Sequence, residues 1–196
     1  MDTFNYHAPT KIIFGKNTEK KVGQLVKKIG CKKALVHYGG SSAKKSGLLA
    51  RVFASLTEAG IAYVELGGVV PNPRLSKVYE GIDLCRTENV DFILAVGGGS
   101  VIDSAKAIGY GVVNEGDVWD LYTGAQLPYN GCLPIGAIVT IPAAGSEMSN
   151  VSVITNEKGW LKRSLGSDSG YCKFAIMNPE LTYTLPAYQT ASGASD

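Results

Sequence analysis

The sequence predicts an α/β protein, a parallel β-sheet flanked by helices, and three observations carry that expectation. Between Lys33 and Ile141, apolar runs of strand length alternate with stretches of helical spacing. Such alternation implies right-handed crossovers and parallel strands. One run, Asp91 to Val96 (DFILAV), is apolar without a break after its first residue. That suits a central strand covered on both faces better than a strand with one wet face. Glycine-rich stretches follow three of the runs, after Tyr38, Leu66 and Val96. In a parallel sheet these turns share the carboxyl edge, where such sheets bind ligands. The expected architecture is therefore Rossmann-like.

The elements follow in order. Phe4 to Phe14 holds two short β-like runs split by Ala8-Pro9-Thr10 and ends at Gly15. Asn17 or Thr18 is placed to cap a helix whose apolar positions Val22, Leu25, Val26 and Ile29 repeat at helical spacing, with Gly30 as its stop. Lys33 to Tyr38 is the next strand. A second helix is expected over Ala43 to Ala59, with Leu48, Leu49, Val52, Phe53 and Leu56 inward, and a third strand over Ile61 to Leu66. Leu75 to Glu88 reads as a helix burying Leu75, Val78, Tyr79, Ile82 and Cys85. Ser100 opens another helix directly after the glycine turn. Trp119, Tyr122 and Tyr129 fall in a loop-rich segment, and Pro134 to Ile141 is a further buried strand. Val151 to Thr155 and Lys173 to Met177 are strand-like, with a turn at Asn156 to Gly159. Pro186 begins a last helix, as proline does at a first helical position.

Composition narrows the function classes. The 196 residues are 45% hydrophobic and 18% charged, which fits a folded chain rather than a disordered one. A net charge of +2 is too small to imply nucleic acid or a membrane surface as partner. Met1 to Tyr6 lacks the basic start and apolar core of a secretory leader, so a cytoplasmic location is expected. Cys31, Cys85, Cys132 and Cys172 stand singly, which suits reduced thiols better than disulfides or a zinc cluster.

The stretch with chemistry is Asp91 to Lys106, DFILAVGGGSVIDSAK. Strand, glycine turn and helix start bring backbone N–H groups and the positive helix end together on an anion. Glycine lets the backbone approach a phosphate that a Cβ would hold off. The spacing is not the G-x-G-x-x-G of ordinary dinucleotide folds, and a ligand-free βα turn has the same composition.

With GGGSVIDSAK, Pro71-Asn72-Pro73, TIPAAGSEMS and the terminal LPAYQTASGASD in this order and spacing, the chain resembles the iron-dependent (group III) alcohol dehydrogenases. It is most similar to their NADPH-dependent butanol dehydrogenase branch, over its whole length. The resemblance implies a dehydroquinate synthase-like nucleotide-binding α/β domain over residues 1–184, with residues 185–196 beginning an all-helical metal-binding domain. It implies an oxidoreductase that uses NADP(H), or NAD(H), with Fe²⁺, or Zn²⁺, to interconvert a small alcohol and aldehyde such as butanol and butanal. The full-length parent is expected to be a homodimer.

Residue roles come from the same resemblance. Gly98, Gly99 and Ser100 would bind the pyrophosphate. Asp103 would lie by the cofactor as a catalytic residue, unless it only complements the helix dipole. Lys162 would stand near the nicotinamide ribose, also as a catalytic residue; a solvated lysine beside Arg163 is the alternative. Asn72 would reach the cleft, or merely make a rigid turn between two prolines. Thr140, Ala144 and Ser146 would line the cofactor. Leu181, Thr182 and Tyr183 would contact adenine, although core packing explains Leu181 equally well. Gly39, Gly40, Ser41 and Ser42 present no carboxylate to repel a 2′-phosphate, and Lys44 and Lys45 follow, so NADP(H) is expected over NAD(H). Asp196 matches the family's aspartate metal ligand. The three histidine ligands have no counterpart, since His7 and His37 lie in the N-terminal strands. Residues 1–196 alone are therefore expected to be inactive. A zinc polyol dehydrogenase of the glycerol type and a catalytically silent nucleotide-binding module are the alternatives.

Overall fold

Apolar continuity decides which strands lie in the middle. The computed structural model describes residues 3, 7–128 and 130–195. β2 (Lys33–Tyr38), β4 (Phe92–Gly97) and β5 (Ile135–Val139) are buried along almost all their length. β1 (Lys11–Phe14), β3 (Ala62–Leu66) and β8 (Phe174–Met177) complete a six-stranded sheet of order β1-β8-β5-β4-β2-β3, parallel throughout. The parallel α/β sheet with flanking helices that the sequence predicts is thus the observed one.

Side chains alternate across the sheet, as strand geometry requires. Phe92, Leu94 and Val96 face α1 (Val22–Ile29) and α3 (Leu48–Glu58), joining Val26, Val52 and Leu56. Ile93 and Ala95 face α4 (Leu75–Thr87) and α5 (Gly99–Val113), joining Val78, Ile82, Ile102 and Ile108. α6 (Val118–Thr123) packs on the latter cluster through Val118, Leu121 and Tyr122. Full burial of side chains such as Ile93 or Leu94 is worth roughly 1.5–3 kcal/mol each, so the β4 run anchors both cores.

The structure corrects several local expectations. The helix expected over residues 43–59 is two helices, α2 (Ser42–Lys45) and α3, because Gly47 takes a left-handed φ of 71° between them. Asn17 does not cap with its side chain. It is itself left-handed, and the Thr18 hydroxyl donates instead to Gly15 O at 2.8 Å. Tyr79 points outward, 38% exposed, because its hydroxyl donates to Asp117 Oδ1 at 2.7 Å. The segment carrying Trp119 and Tyr122 forms α6, started by Asp117 accepting from Trp119 N, rather than a loop. Tyr129 and the Phe4–Tyr6 part of the first β-like run lie outside the described residues.

β6 (Val151–Asn156) and β7 (Leu161–Gly166) form a separate antiparallel hairpin. β7 is absent from the sequence reading because Leu161, Lys162, Arg163 and Ser164 are all exposed and give no apolar signal. α7 (Ala187–Ser195) starts directly after Pro186 and buries none of its residues. All four cysteines are free. No described helix is long and apolar enough to cross a membrane.

Candidate functional site

The chain leaves β2 for β3 on one side and returns to β4 on the other, so a crevice opens between the β2 and β4 loops. A groove of about 330 Å³ lies there, lined by Gly39, Gly40, Ser42, Val69 to Pro71, Gly97 to Ser100, Thr140, Ile141 and Ala143, among others. This is the edge at which open parallel sheets bind ligands. A second cavity of about 400 Å³ shares Ser42, Ala43, Thr140 and Ile141 with it and extends to Arg51, Asn178 and Leu181.

The β4–α5 turn is shaped for a close approach. Gly98 is extended and precedes α5, and its carbonyl accepts from Val101 N at 3.0 Å and Ile102 N at 3.2 Å. No side chain caps the helix, so the Gly99 and Ser100 amides face the groove at the positive end of a 15-residue helix. A Cβ on Gly98 would lie 3.2 Å from Ile141 Cβ, and one on Gly99 3.1 Å from Ser146 Oγ. The glycines keep this floor low enough for a phosphate.

Behind the turn, His37 ties β2, β3 and α5 together. Its Nδ1 is 2.9 Å from Leu66 O and its Nε2 2.9 Å from Ser104 Oγ. A carbonyl only accepts, so Nδ1–H donates and neutral Nε2 accepts from the serine hydroxyl. Complete burial pushes its pKa down to about 4. One helical turn away, Asp103 Oδ2 accepts from Val153 N at 3.1 Å, while Oδ1 is buried without a hydrogen-bond partner among the described residues. Burial raises this carboxyl's pKa, opposed by the Lys106 ammonium and the Val153 amide. Asp103 lines neither cavity, and its unpartnered Oδ1 is shut off from solvent.

The β6–β7 hairpin brings Lys162 to the same edge. Lys162 Nζ donates to Asn72 Oδ1 at 2.8 Å. The hairpin tip is latched to the start of α4: Thr155 N donates to Pro73 O at 2.9 Å, and Arg74 stacks over Trp160 at 4.4 Å. Glu157 accepts from Ser76 N and Oγ. Burial pushes the Glu157 carboxyl up, but the Ser76 hydrogen bonds outweigh it and hold the group below its ordinary value.

A family model for iron-containing alcohol dehydrogenases matches residues 9–179. The chain belongs to the iron-containing alcohol dehydrogenase family. It is 43% identical over 196 residues to NADH-dependent butanol dehydrogenase A of Clostridium acetobutylicum, covering 100% of this chain and 50% of that protein. It is 35% identical over 198 residues to the NADPH-dependent aldehyde reductase YqhD of Escherichia coli, with the same coverage. The crystal structure of NADH-dependent butanol dehydrogenase A from Thermotoga maritima superposes with a TM-score of 0.97 at 46% identity, over 100% of this chain and 49% of that one. The chain thus spans about half the length of the relatives it matches.

In this family member, the structure gathers Gly39, Gly40, Ser42, Gly98, Gly99, Ser100 and Thr140 around one groove. Ser146 faces Gly99, and Leu181 lines the adjoining cavity. Asn72 and Lys162 are joined to each other. Ser41 and Ala144 are exposed, and neither is among the lining residues of either cavity. Thr182 lines a different cavity, with Phe14, Val139 and Pro142, and Tyr183 is 73% exposed. Asp196, the expected metal ligand, lies outside the described residues. Among the described residues no three His, Cys, Asp or Glu converge on a metal position, so they do not by themselves fit one.

Two features were not legible beforehand. The glycines after β3 do not line the groove; Val69, Val70 and Pro71 do, because Gly67 packs under the Tyr38 ring. Lys44 sits 3.7 Å from Glu65 Oε2, which also accepts from Tyr38 OH at 3.2 Å. The β2 loop itself carries no carboxylate, yet the adjacent strand supplies one, and only strand pairing reveals it.

Proposed function

We propose that this chain is the nicotinamide-cofactor-binding half of an enzyme that moves hydride between NAD(P)H and a small primary alcohol or aldehyde such as butanal. The observation that carries the reading is the groove at the uncapped start of α5, floored by glycines where an added Cβ would press on Ile141 and Ser146. When bound there, a nicotinamide cofactor supplies or accepts the hydride.

The chain's own residues bind and orient. The Gly99 and Ser100 amides, with the positive end of α5, hold the pyrophosphate. Thr140 and Leu181 line the adenosine end. Asp103, bonded to Val153 N, ties α5 to β6 beside the cofactor. Lys162, steadied by Asn72, presents its ammonium at the ribose edge and remains the candidate for moving a proton. The full-length parent is an iron-type enzyme in this reading, in keeping with the family.

For the form of the cofactor, the open Gly39–Ser42 loop leaves room for a 2′-phosphate, which supports NADP(H). The Glu65 carboxylate that engages Lys44, and the NADH dependence named for the 43% relative, support NAD(H). We therefore propose a site that accepts both.

The test is fluorescence titration of residues 1–196 with NADH and NADPH, read through Trp119 and Trp160. Both should bind, with affinities within about tenfold of each other, or about 1.4 kcal/mol. Absence of binding by either would overturn the cofactor reading. The same chain with Fe²⁺ and butanal should bind cofactor without oxidising it; turnover would overturn the assignment of the metal ligands to other residues.

A further inference from the structure

We infer that Lys106 is a positioning residue that holds the groove wall in register with the glycine turn, an inference that rests on the groove being the cofactor site. Lys106 lies on α5 about two turns beyond Gly99, on a helix that ends at a phosphate-sized groove. A lysine there invites a phosphate-binding role. The geometry assigns it another.

Lys106 is 0% exposed. Its Nζ donates to Ser146 O at 2.8 Å, Ser149 O at 2.7 Å and Val151 O at 2.9 Å. An ammonium has three N–H donors, so all are used and none is left for a cofactor oxygen. Ser146 and Ser149 belong to the irregular segment that carries the chain from β5 into β6, and Val151 is the first residue of β6. That segment has few main-chain bonds of its own, Met148 N to Gly145 O at 2.9 Å being one. These carbonyls are only partly buried, yet the ammonium itself is fully buried and its charge requires acceptors, which the three supply.

The consequence reaches the groove through two contacts. Ser146, held by its carbonyl, keeps Oγ against the glycine turn, 3.1 Å from where a Gly99 Cβ would stand. Val151, held likewise, sets the start of β6, from which Val153 N reaches Asp103. Without Lys106 the segment loses its tie to α5, and the wall and the turn no longer keep a fixed separation. Burial pushes the Lys106 pKa down, while Asp103 on the same helix face counters it.

The first arm of the test needs no substitution. The 196-residue chain is trace-labelled with acetic anhydride, with and without NADH, and lysine modification is read by mass spectrometry. Lys106 should stay unmodified in both samples while exposed Lys28, remote from the groove, is acetylated in both. Modification of Lys106 in the free chain, with protection by NADH, would make it a cofactor ligand and overturn the inference.

The second arm uses Lys106→Met. NADH affinity should fall at least about tenfold, because the wall beside the pyrophosphate loosens, while AMP affinity changes less than about twofold, because the adenosine end is built by Thr140 and Leu181. Unchanged NADH affinity in a folded variant overturns the inference, and so does a parallel loss of NADH and AMP, which would mark a general structural role. A wild-type chain that binds no NADH sinks the cofactor reading instead, whatever the labelling of the free chain shows.

Discussion

The loops after β2 and β4 look alike in sequence, glycine followed by serine at the same sheet edge, yet the structure treats them in opposite ways. At the β4 turn every position is hemmed in. Gly98 lies under Ile141, Gly99 under Ser146, and a 15-residue helix stands behind them. At the β2 loop a Cβ on Gly40 would meet nothing within 4 Å, and the helix that follows is a single turn of four residues. The first is a rigid cradle with a dipole aimed into it. The second is an open rim whose chemistry depends on neighbours such as Lys44 and Glu65. Two equal-looking motifs therefore carry unequal constraints, and substitution should expose the difference.

The largest effect should come from Gly99→Val. A branched side chain there runs into Ser146 Oγ and fills the phosphate floor, so NADH affinity should fall about a thousandfold, near 4 kcal/mol, with circular dichroism unchanged. Near-normal binding by a folded Gly99→Val chain would make the β4 turn as tolerant as the β2 loop and erase the contrast.

Next comes the link between the two loops, His37, at the end of β2 and bonded into α5. Its folded pKa of about 4 lies below the ordinary histidine value of 6.5, so the folded state binds fewer protons than the unfolded chain between those values. Its stabilising contribution is complete above pH 6.5 and is lost as pH falls toward 4, on the order of 3 kcal/mol in all. Urea unfolding at pH 7 and pH 4.5 measures it. His37→Asn should remove most of that acid dependence, and an equal acid loss in the variant would show that other groups cause it.

A smaller effect should follow from Gly40→Asp. The open rim accepts the side chain without strain, so the melting temperature should stay put. The added carboxylate should repel a 2′-phosphate and weaken NADPH by about tenfold relative to NADH, roughly 1.4 kcal/mol. An unchanged NADPH to NADH ratio would mean that the 2′-phosphate lies elsewhere.

The smallest is Glu157→Gln, at the hairpin latch. Glu157 is held below its ordinary carboxylate value, so its bonds to Ser76 stabilise the fold above that value and are lost as pH falls through the depressed one. The variant should lose about 1 kcal/mol at pH 7 and show a flatter acid limb in urea titrations. A wild-type acid limb in the variant would remove Glu157 from the latch.

What the sequence determined by itself is the sheet and its functional edge. A continuous apolar run such as FILAV, of strand length and ended by glycines, suits a doubly covered strand, and glycine turns after parallel strands share one edge. Those are local constraints, written residue by residue, and the groove residues Gly98, Gly99, Ser100 and Thr140 followed from them or from the motif that resembled a known family. Tertiary structure alone decided the rest. β7 carries no apolar pattern, because it is stabilised by its partner strand and the α4 latch rather than by burial. Lys106 reads as a surface residue by type, and only the fold brings three carbonyls within reach of its ammonium. Glu65 reaches Lys44 because β2 and β3 are paired, although 20 intervening residues separate the two in the chain. Long-range contacts between polar groups leave no periodic trace in sequence, since their partners are chosen by packing and not by spacing.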